Sequence, residues 1–246
     1  MSGIENNEFE VYYQPIINSK DSKILLAEAL VRWISPTLGF VRPDIFIPLL
    51  EQNGFISKLD YYVREKVCQY LRNKIDFGMV VRPISVNISK VELENPTFIN
   101  DLIAQVDSYS IPRELLRLEI TESSIMNNFD LFNSLLTKLK NEGFYLEMDD
   151  FGSGYSSLAA FSDFPFDLIK LDMRFFMGKE IIKKQSIVKH LANLAKEVGI
   201  EVIAEGVETK QQVDFLDGIG INQIQGYYYS KPLPQVELIK FIKKHC

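Results

Sequence analysis

The sequence predicts an α/β fold, a (β/α)8 barrel of the TIM type with an antiparallel first strand. Eight short runs of β character are spread over its 246 residues. Helix-length amphipathic segments separate most of them, the pattern of a mainly parallel sheet with helices outside. The first two runs are joined by only Asn18-Ser19-Lys20-Asp21-Ser22-Lys23, whereas a parallel crossover needs about a dozen residues or more. Strand one is therefore expected to run against strand two. An open doubly wound sheet is the alternative architecture.

Taken in order, nearly every run carries a polar group at or near its end, where barrels of this class place their active sites. Val11–Ile17 opens the barrel. In Ile24–Trp33 an apolar stretch is interrupted by Glu28. Pro83–Ser89 holds Asn87, and Leu116–Thr121 holds Glu119 with Glu122 just after it. Phe144–Met148 leads into Asp149 and Asp150. Asp167–Leu171 carries Lys170 and is followed by Asp172, Glu201–Ala204 is followed by Glu205, and Ile221–Gln225 sets Gln225 before Gly226. The clearest helix is Ile181–Val198, with Ile187, Val188, Leu191, Leu194, Ala195 and Val198 on one face and Gly199 as its stop. Each polar group alone has an ordinary explanation: a solvated strand face, a surface lysine, a turn cap. Together at one mouth they set at least five carboxylates side by side, which is repulsive without cations.

The run Asp149-Asp150-Phe151-Gly152-Ser153-Gly154-Tyr155-Ser156-Ser157 concentrates this signal. Paired carboxylates at a strand end, followed by glycines able to take positive φ, describe a loop built around a cation. An ordinary Asp/Gly turn is the competing reading of that segment by itself. Hard oxygen ligands without a His or Cys cluster select Mg²⁺ or Mn²⁺ over zinc or copper. His190 and His245 fall on helical segments and read as structural.

A formal charge of −6 argues against a general nucleic-acid binder, so no DNA partner is expected. Cys68 and Cys246 are the only cysteines and form no metal-spaced cluster, which fits a reducing cytoplasm. No apolar run approaches the ~18 residues of a membrane span, and no membrane contact by this domain is expected. With no linker-like segment, residues 1–246 read as one domain. Its first strand begins almost at once, so it reads as a piece of a longer protein, whose other parts are free to be membrane-anchored.

These residues resemble the EAL domains, bacterial phosphodiesterases that open cyclic di-GMP. Glu28-Ala29-Leu30-Val31-Arg32-Trp33 is the name-giving motif, preceded by Tyr13-Gln14-Pro15-Ile16. Phe46-Ile47-Pro48, Ser85-Val86-Asn87, Glu119-Ile120-Thr121-Glu122-Ser123, Asp149-Asp150-Phe151-Gly152 and Ile169-Lys170-Leu171-Asp172 follow in order. Ala204-Glu205-Gly206-Val207-Glu208-Thr209, Gln225-Gly226-Tyr227 and Pro232-Leu233-Pro234 complete a match over essentially the whole chain. The family's barrel has one antiparallel strand, in agreement with the short first connection. Ser153 stands where Thr is usual and Leu171 where Ile is usual, and both keep the chemical character.

The resemblance implies a two-metal phosphodiesterase that yields linear 5′-pGpG. It assigns Glu28, Asn87, Glu119 and Asp149 to the first ion. Asp150 goes to the second, with Asp149 shared and Glu205 and Gln225 completing the site directly or through water. Lys170 would orient or deprotonate the attacking water, Glu205 being the competing base. Arg32 would clamp a substrate phosphate, with Gln14, Leu30 and Glu208 as further substrate contacts. Glu122 would support the Asp150–Ser157 loop. Ca²⁺ is expected to inhibit, and a homodimer is expected through the region after that loop, from Tyr155 through Leu158, Ala159, Ala160 and Phe161. A receptor that binds cyclic di-GMP without turnover would lack a ligand or the base, and an interaction module would lack Arg32 or the Glu28 motif. This chain lacks none of them.

Overall fold

A computed structural model describes residues 2–125, 129–151, 163–172 and 180–245. Its strands are β1 (Phe9–Asn18), β2 (Ile24–Ser35), β3 (Gly39–Val41), β4 (Ile84–Asn87), β5 (Leu116–Thr121), β6 (Tyr145–Phe151), β7 (Leu168–Leu171), β8 (Glu201–Ala204), β9 (Gln223–Ile224) and β10 (Leu233–Pro234). They form one sheet, and β1 pairs with both β2 and β9, so that β1, β2, β4, β5, β6, β7, β8 and β9 close into an eight-stranded barrel. The pairs from β2 round to β9 are parallel. β1 is antiparallel to both of its barrel neighbours, as its short connection to β2 requires. β3 and β10 are short additions outside the ring, pairing with β2 and β1.

Side chains alternate along each strand, so residues two apart share a face. Ile16, Leu26, Leu168 and Ile203 form an apolar cluster separate from the main core. On the parallel strands each precedes a site residue by two: Leu26 and Glu28, Leu168 and Lys170, Ile203 and Glu205. On β1 the order is reversed, Gln14 then Ile16, because that strand runs the other way. These four residues therefore floor the site, filling the barrel rather than leaving a pore. Each fully buried aliphatic side chain of this kind stabilises the fold by roughly 1.5–3 kcal/mol. Ser85 and Glu147 share the layer by the same alternation. Glu147 is fully buried and is satisfied by the Ser85 hydroxyl at 2.8 Å and the Arg117 guanidinium at 3.2 Å.

The larger core lies outside the barrel, between the opposite strand faces and helices such as Ile56–Asp76, Phe98–Ser108 and Ile181–Val198. Among the described residues, no helix is long and apolar enough to cross a membrane.

Candidate active site

The mouth formed by the C-terminal ends of the parallel strands is organised around Lys170. Its side chain is buried on β7, and its Nζ meets four carboxylates from four other strand ends. Glu28 lies at 3.1 Å, Glu205 at 2.6 Å and Asp149 at 3.8 Å, and Glu119 also pairs with it. Glu28 is a second hub. Its Oε1 accepts from Asn87 Nδ2 at 3.3 Å and its Oε2 from Gln225 Nε2 at 2.5 Å. Gln225 Nε2 also donates to Gln14 Oε1 at 3.3 Å. Sheet register explains the convergence, because Gln14 pairs with Glu28, Asn87 with Glu119, and Thr121 with Asp149.

One ammonium faces four carboxylates, which leaves an excess of buried negative charge. Burial works against the charge on Lys170, but Glu119, Glu205, Glu28 and Asp149 outweigh it and hold the ammonium well above the usual lysine range. Burial, then Glu28, lifts the Glu119 carboxyl well above its ordinary value. Burial likewise pushes Glu205 up to about 8, with Lys170 opposing and Asp149 and Glu28 adding. Three buried oxygens here, Glu119 Oε2, Asp149 Oδ1 and Gln225 Oε1, have no hydrogen-bond partner. Buried acceptors without a hydrogen bond are costly and rare in folded proteins, and a cation bound among them would be a suitable partner. Carboxylate oxygens of Glu28, Glu119 and Glu205 lie within 4.8 Å of one another, close enough to share an ion.

Two backbone features shape the mouth. β6 runs through Asp150 to Phe151, further than its apolar pattern predicts, by way of a bulge. Met148 pairs with Ile169 and Phe151 with Leu171, so Asp149 and Asp150 together oppose Lys170 alone. Asp150 takes φ +56°, a left-handed conformation that Asp tolerates better than most residues. The second feature is Gly226, where a Cβ would lie 2.0 Å from the carbonyl oxygen of Val207 and 2.4 Å from its nitrogen. The obstacle is backbone, so Gly226→Ala must displace either Gln225 or the Val207 segment. A loss of about 3 kcal/mol is expected, at the upper end of overpacking costs. Denaturant unfolding measures it, and a loss below about 0.5 kcal/mol would show that the segment yields freely.

Two clefts open on either side of Glu28 and Leu30. One, of about 380 Å³, is lined by Arg32, Asn87, Thr121 and Asp149. The other, of about 560 Å³, is lined by Gln14, Asp172, Glu205, Glu208, Gln225 and Tyr227. Apart from Asp150, which is placed by its backbone at the bulge opposite Lys170, the residues expected from the sequence at metal, catalytic and substrate positions lie at this one mouth. Arg32 is half-buried, with its guanidinium 5.7 Å from the Tyr12 ring and its Nη1 donating to the Val31 carbonyl at 2.9 Å. Glu122 is buried at the start of helix Glu122–Ile125. The loop it is expected to support beyond Phe151, and the expected dimer region, fall in 152–162, outside the described residues.

Sequence reasoning passed over Tyr227 and Asp60, both of which line these clefts. Tyr227 was legible as the residue two beyond Gln225. Asp60 was legible as a carboxylate on the otherwise apolar face of Leu59, Val63, Val67 and Leu71.

Comparisons with known proteins bear on this geometry. The model of the EAL domain matches residues 1–232. Cyclic di-GMP phosphodiesterase NbdA of Pseudomonas aeruginosa is 35% identical over 243 residues, covering 98% of this chain and 31% of that protein. The probable cyclic di-GMP phosphodiesterase PdeG of Escherichia coli is 34% identical over 244 residues, covering 97% and 47%. The chain thus spans about a third to a half of the length of these relatives. Of solved structures, the phosphodiesterase PaMucR in complex with c-di-GMP superposes with a TM-score of 0.90 at 30% identity over 96% of both chains. An EAL domain protein from Listeria monocytogenes gives 0.83 at 30% identity, over 99% of this chain and 96% of that one. With the match running from residue 1 to 232, and the Glu28-Ala29-Leu30 triplet on the second strand of a closed barrel, this chain belongs to the EAL domain family.

Proposed function

We propose that this chain is a phosphodiesterase that hydrolyses cyclic di-GMP to linear 5′-pGpG and needs two divalent cations, Mg²⁺ or Mn²⁺. The observation that carries the reading is the meeting of Glu28, Glu119, Asp149 and Glu205 on one lysine, with three buried oxygens that make no hydrogen bond. All-oxygen donors of this kind suit hard cations. Glu28, Asn87, Glu119 and Asp149 would hold the first. Asp149 and Asp150 would hold the second, with Glu205 and Gln225 completing it directly or through water. When bound, such cations neutralise phosphate charge and make water a competent nucleophile near neutral pH.

The remaining work falls to the chain's own groups. Arg32 clamps a phosphate oxygen, for which a planar guanidinium is suited. Gln14, Leu30 and Glu208, at the clefts flanking Glu28, contact the nucleotide. Lys170 orients the attacking water; it is held as an ammonium by the four carboxylates around it, which leaves Glu205, the competing base, the readier acceptor of the proton. The water oxygen bonds to phosphorus as the P–O3′ bond breaks, and the 3′-oxygen leaves as a hydroxyl. The floor of Ile16, Leu26, Leu168 and Ile203 excludes further water from below. Glu122 shapes the loop that follows Asp150, and a homodimer through the segment after that loop, in the cytoplasm, completes the reading.

The test is turnover of cyclic di-GMP by the purified chain with chelator, Mg²⁺, Mn²⁺ or Ca²⁺. Mg²⁺ and Mn²⁺ should support hydrolysis and chelator should abolish it. Ca²⁺ should bind but inhibit, because it prefers bonds of about 2.3–2.6 Å and more ligands, whereas Mg²⁺ takes an octahedron at about 2.0–2.1 Å. Equal turnover in Ca²⁺ and Mg²⁺ would contradict the required geometry. Undiminished turnover in chelator would contradict the metal requirement itself.

A further inference from the structure

Asn87 is the least enclosed of the residues assigned to the first cation. It ends β4 with its side chain exposed to the cleft, and its amide donates to Glu28 Oε1 at 3.3 Å. The sheet holds the chain for one residue more, where Ile88 N donates to the Glu119 carbonyl at 2.9 Å. Beyond that point the hold passes to helix Ile56–Asp76, which lies outside the barrel.

Ser89 N donates to Asp60 Oδ2 at 3.1 Å, and the Ser89 hydroxyl caps the next helical turn by accepting from Glu92 N at 3.3 Å. Glu92 is then gripped by Arg64, with Nη1 to Oε2 at 2.5 Å and Nη2 to Oε1 at 2.7 Å. Arg64 is itself fixed by its Nε on Gln105 Oε1 at 3.1 Å, and Gln105 donates to the Tyr61 carbonyl at 3.0 Å. Asp60 and Arg64 are one helical turn apart and both are buried, on a face otherwise built of Leu59, Val63, Val67 and Leu71. Burying such charges costs more than packing apolar groups of similar size, so packing alone does not account for them.

We propose that Asp60 and Arg64 are positioning residues, which clamp Ser89 and Glu92 and thereby fix Asn87 toward the first cation. The proposal rests on Asn87 being a ligand of that cation. Burial first, and then the charge of Glu92, push the Asp60 carboxyl up to about 7. Asparagine therefore mimics its protonated form, with an oxygen for the Ser89 amide and an NH₂ for the Ser89 hydroxyl.

Mn²⁺ binding to the full chain without nucleotide, followed by the electron paramagnetic resonance of free Mn²⁺, tests the proposal. Asp60→Ala should weaken Mn²⁺ binding about tenfold, the usual effect of losing a group that orients a ligand. Asp60→Asn should restore most of it. Leu238→Ala, a core truncation in helix Gln235–Lys244, should lower thermal stability without weakening Mn²⁺. In turnover, Asp60→Ala should raise the half-saturating Mg²⁺ concentration and lower kcat, with the nucleotide KM little changed. Wild-type affinity in Asp60→Ala, or an equal loss in Leu238→Ala, overturns the proposal. Should Asp60→Ala not fold, Arg64→Lys takes its place, because it keeps the charge and removes the two-pronged grip on Glu92, and unchanged Mn²⁺ affinity there overturns it equally. A wild-type chain that binds Mn²⁺ yet leaves cyclic di-GMP intact would end the phosphodiesterase reading while leaving the clamp standing.

Discussion

Glu28→Ala should abolish turnover while leaving the fold intact. Among the described residues, Glu28 is the one side chain at the mouth that contacts Asn87, Lys170 and Gln225 together. Removing it opens the ligand set proposed for the first cation and takes one contact from each of three neighbours. A fall of the order of 10³-fold or more is expected when preorganised charge of this kind is lost from a transition state. Without metal, the variant should unfold no earlier than wild type, because one of four crowded carboxylates has gone. What it should lose is the rise in melting temperature on adding Mg²⁺, since only a ligand bound by the folded state raises it. Full activity in the variant, or an unchanged Mg²⁺ shift, would remove Glu28 from the metal site.

Lys170→Ala should lose catalysis and keep substrate binding. The lysine is 1% exposed and its Nζ is taken up by Glu28, Glu119, Asp149 and Glu205. On the proposed reading it acts on water, while Arg32 and the cations hold phosphate. A fall in kcat of roughly 10²–10⁴-fold, with little change in nucleotide Kd, is the signature of a group acting in the chemical step. The variant also leaves four carboxylates without their ammonium, so it should melt earlier than wild type in chelator and recover with Mg²⁺. If nucleotide binding collapses in step with turnover, Lys170 is a substrate ligand and Glu205 becomes the better base.

Much of this was legible because barrel geometry maps sequence onto position directly. Leu116–Thr121, Glu201–Ala204 and Ile181–Val198 have the expected bounds, although Ile187 and Val198, expected on the apolar face of that helix, are exposed. The short link after Asn18 dictated the antiparallel start, and polar groups at so many strand ends pointed jointly to the mouth. The misses have physical causes. β3 and β10 are too short for alternation to register, and β9 keeps only Gln223–Ile224 of the expected Ile221–Gln225, since ladder pairing rather than β propensity sets strand ends. The extension of β6 depends on a bulge with Asp150 at positive φ, which a Met-Asp-Asp-Phe run does not announce. Asp60 and Arg64 fall among apolar positions of their helix, but what they hold, Ser89 and Glu92, lies 29 and 28 positions further along the chain. The need for glycine at 226 comes from Val207, 19 positions earlier in the chain.

The central claim is that water, positioned at this mouth, opens one phosphodiester bond of cyclic di-GMP. Incubating the full chain with cyclic di-GMP and Mg²⁺ in ¹⁸O-labelled water, then separating the nucleotides by anion-exchange chromatography and weighing them by mass spectrometry, tests it most directly. The account predicts a single main product, linear pGpG, with one ¹⁸O on its terminal 5′-phosphate, and no product from Glu28→Ala. Intact cyclic di-GMP after prolonged incubation, or a product with its label elsewhere, would contradict it.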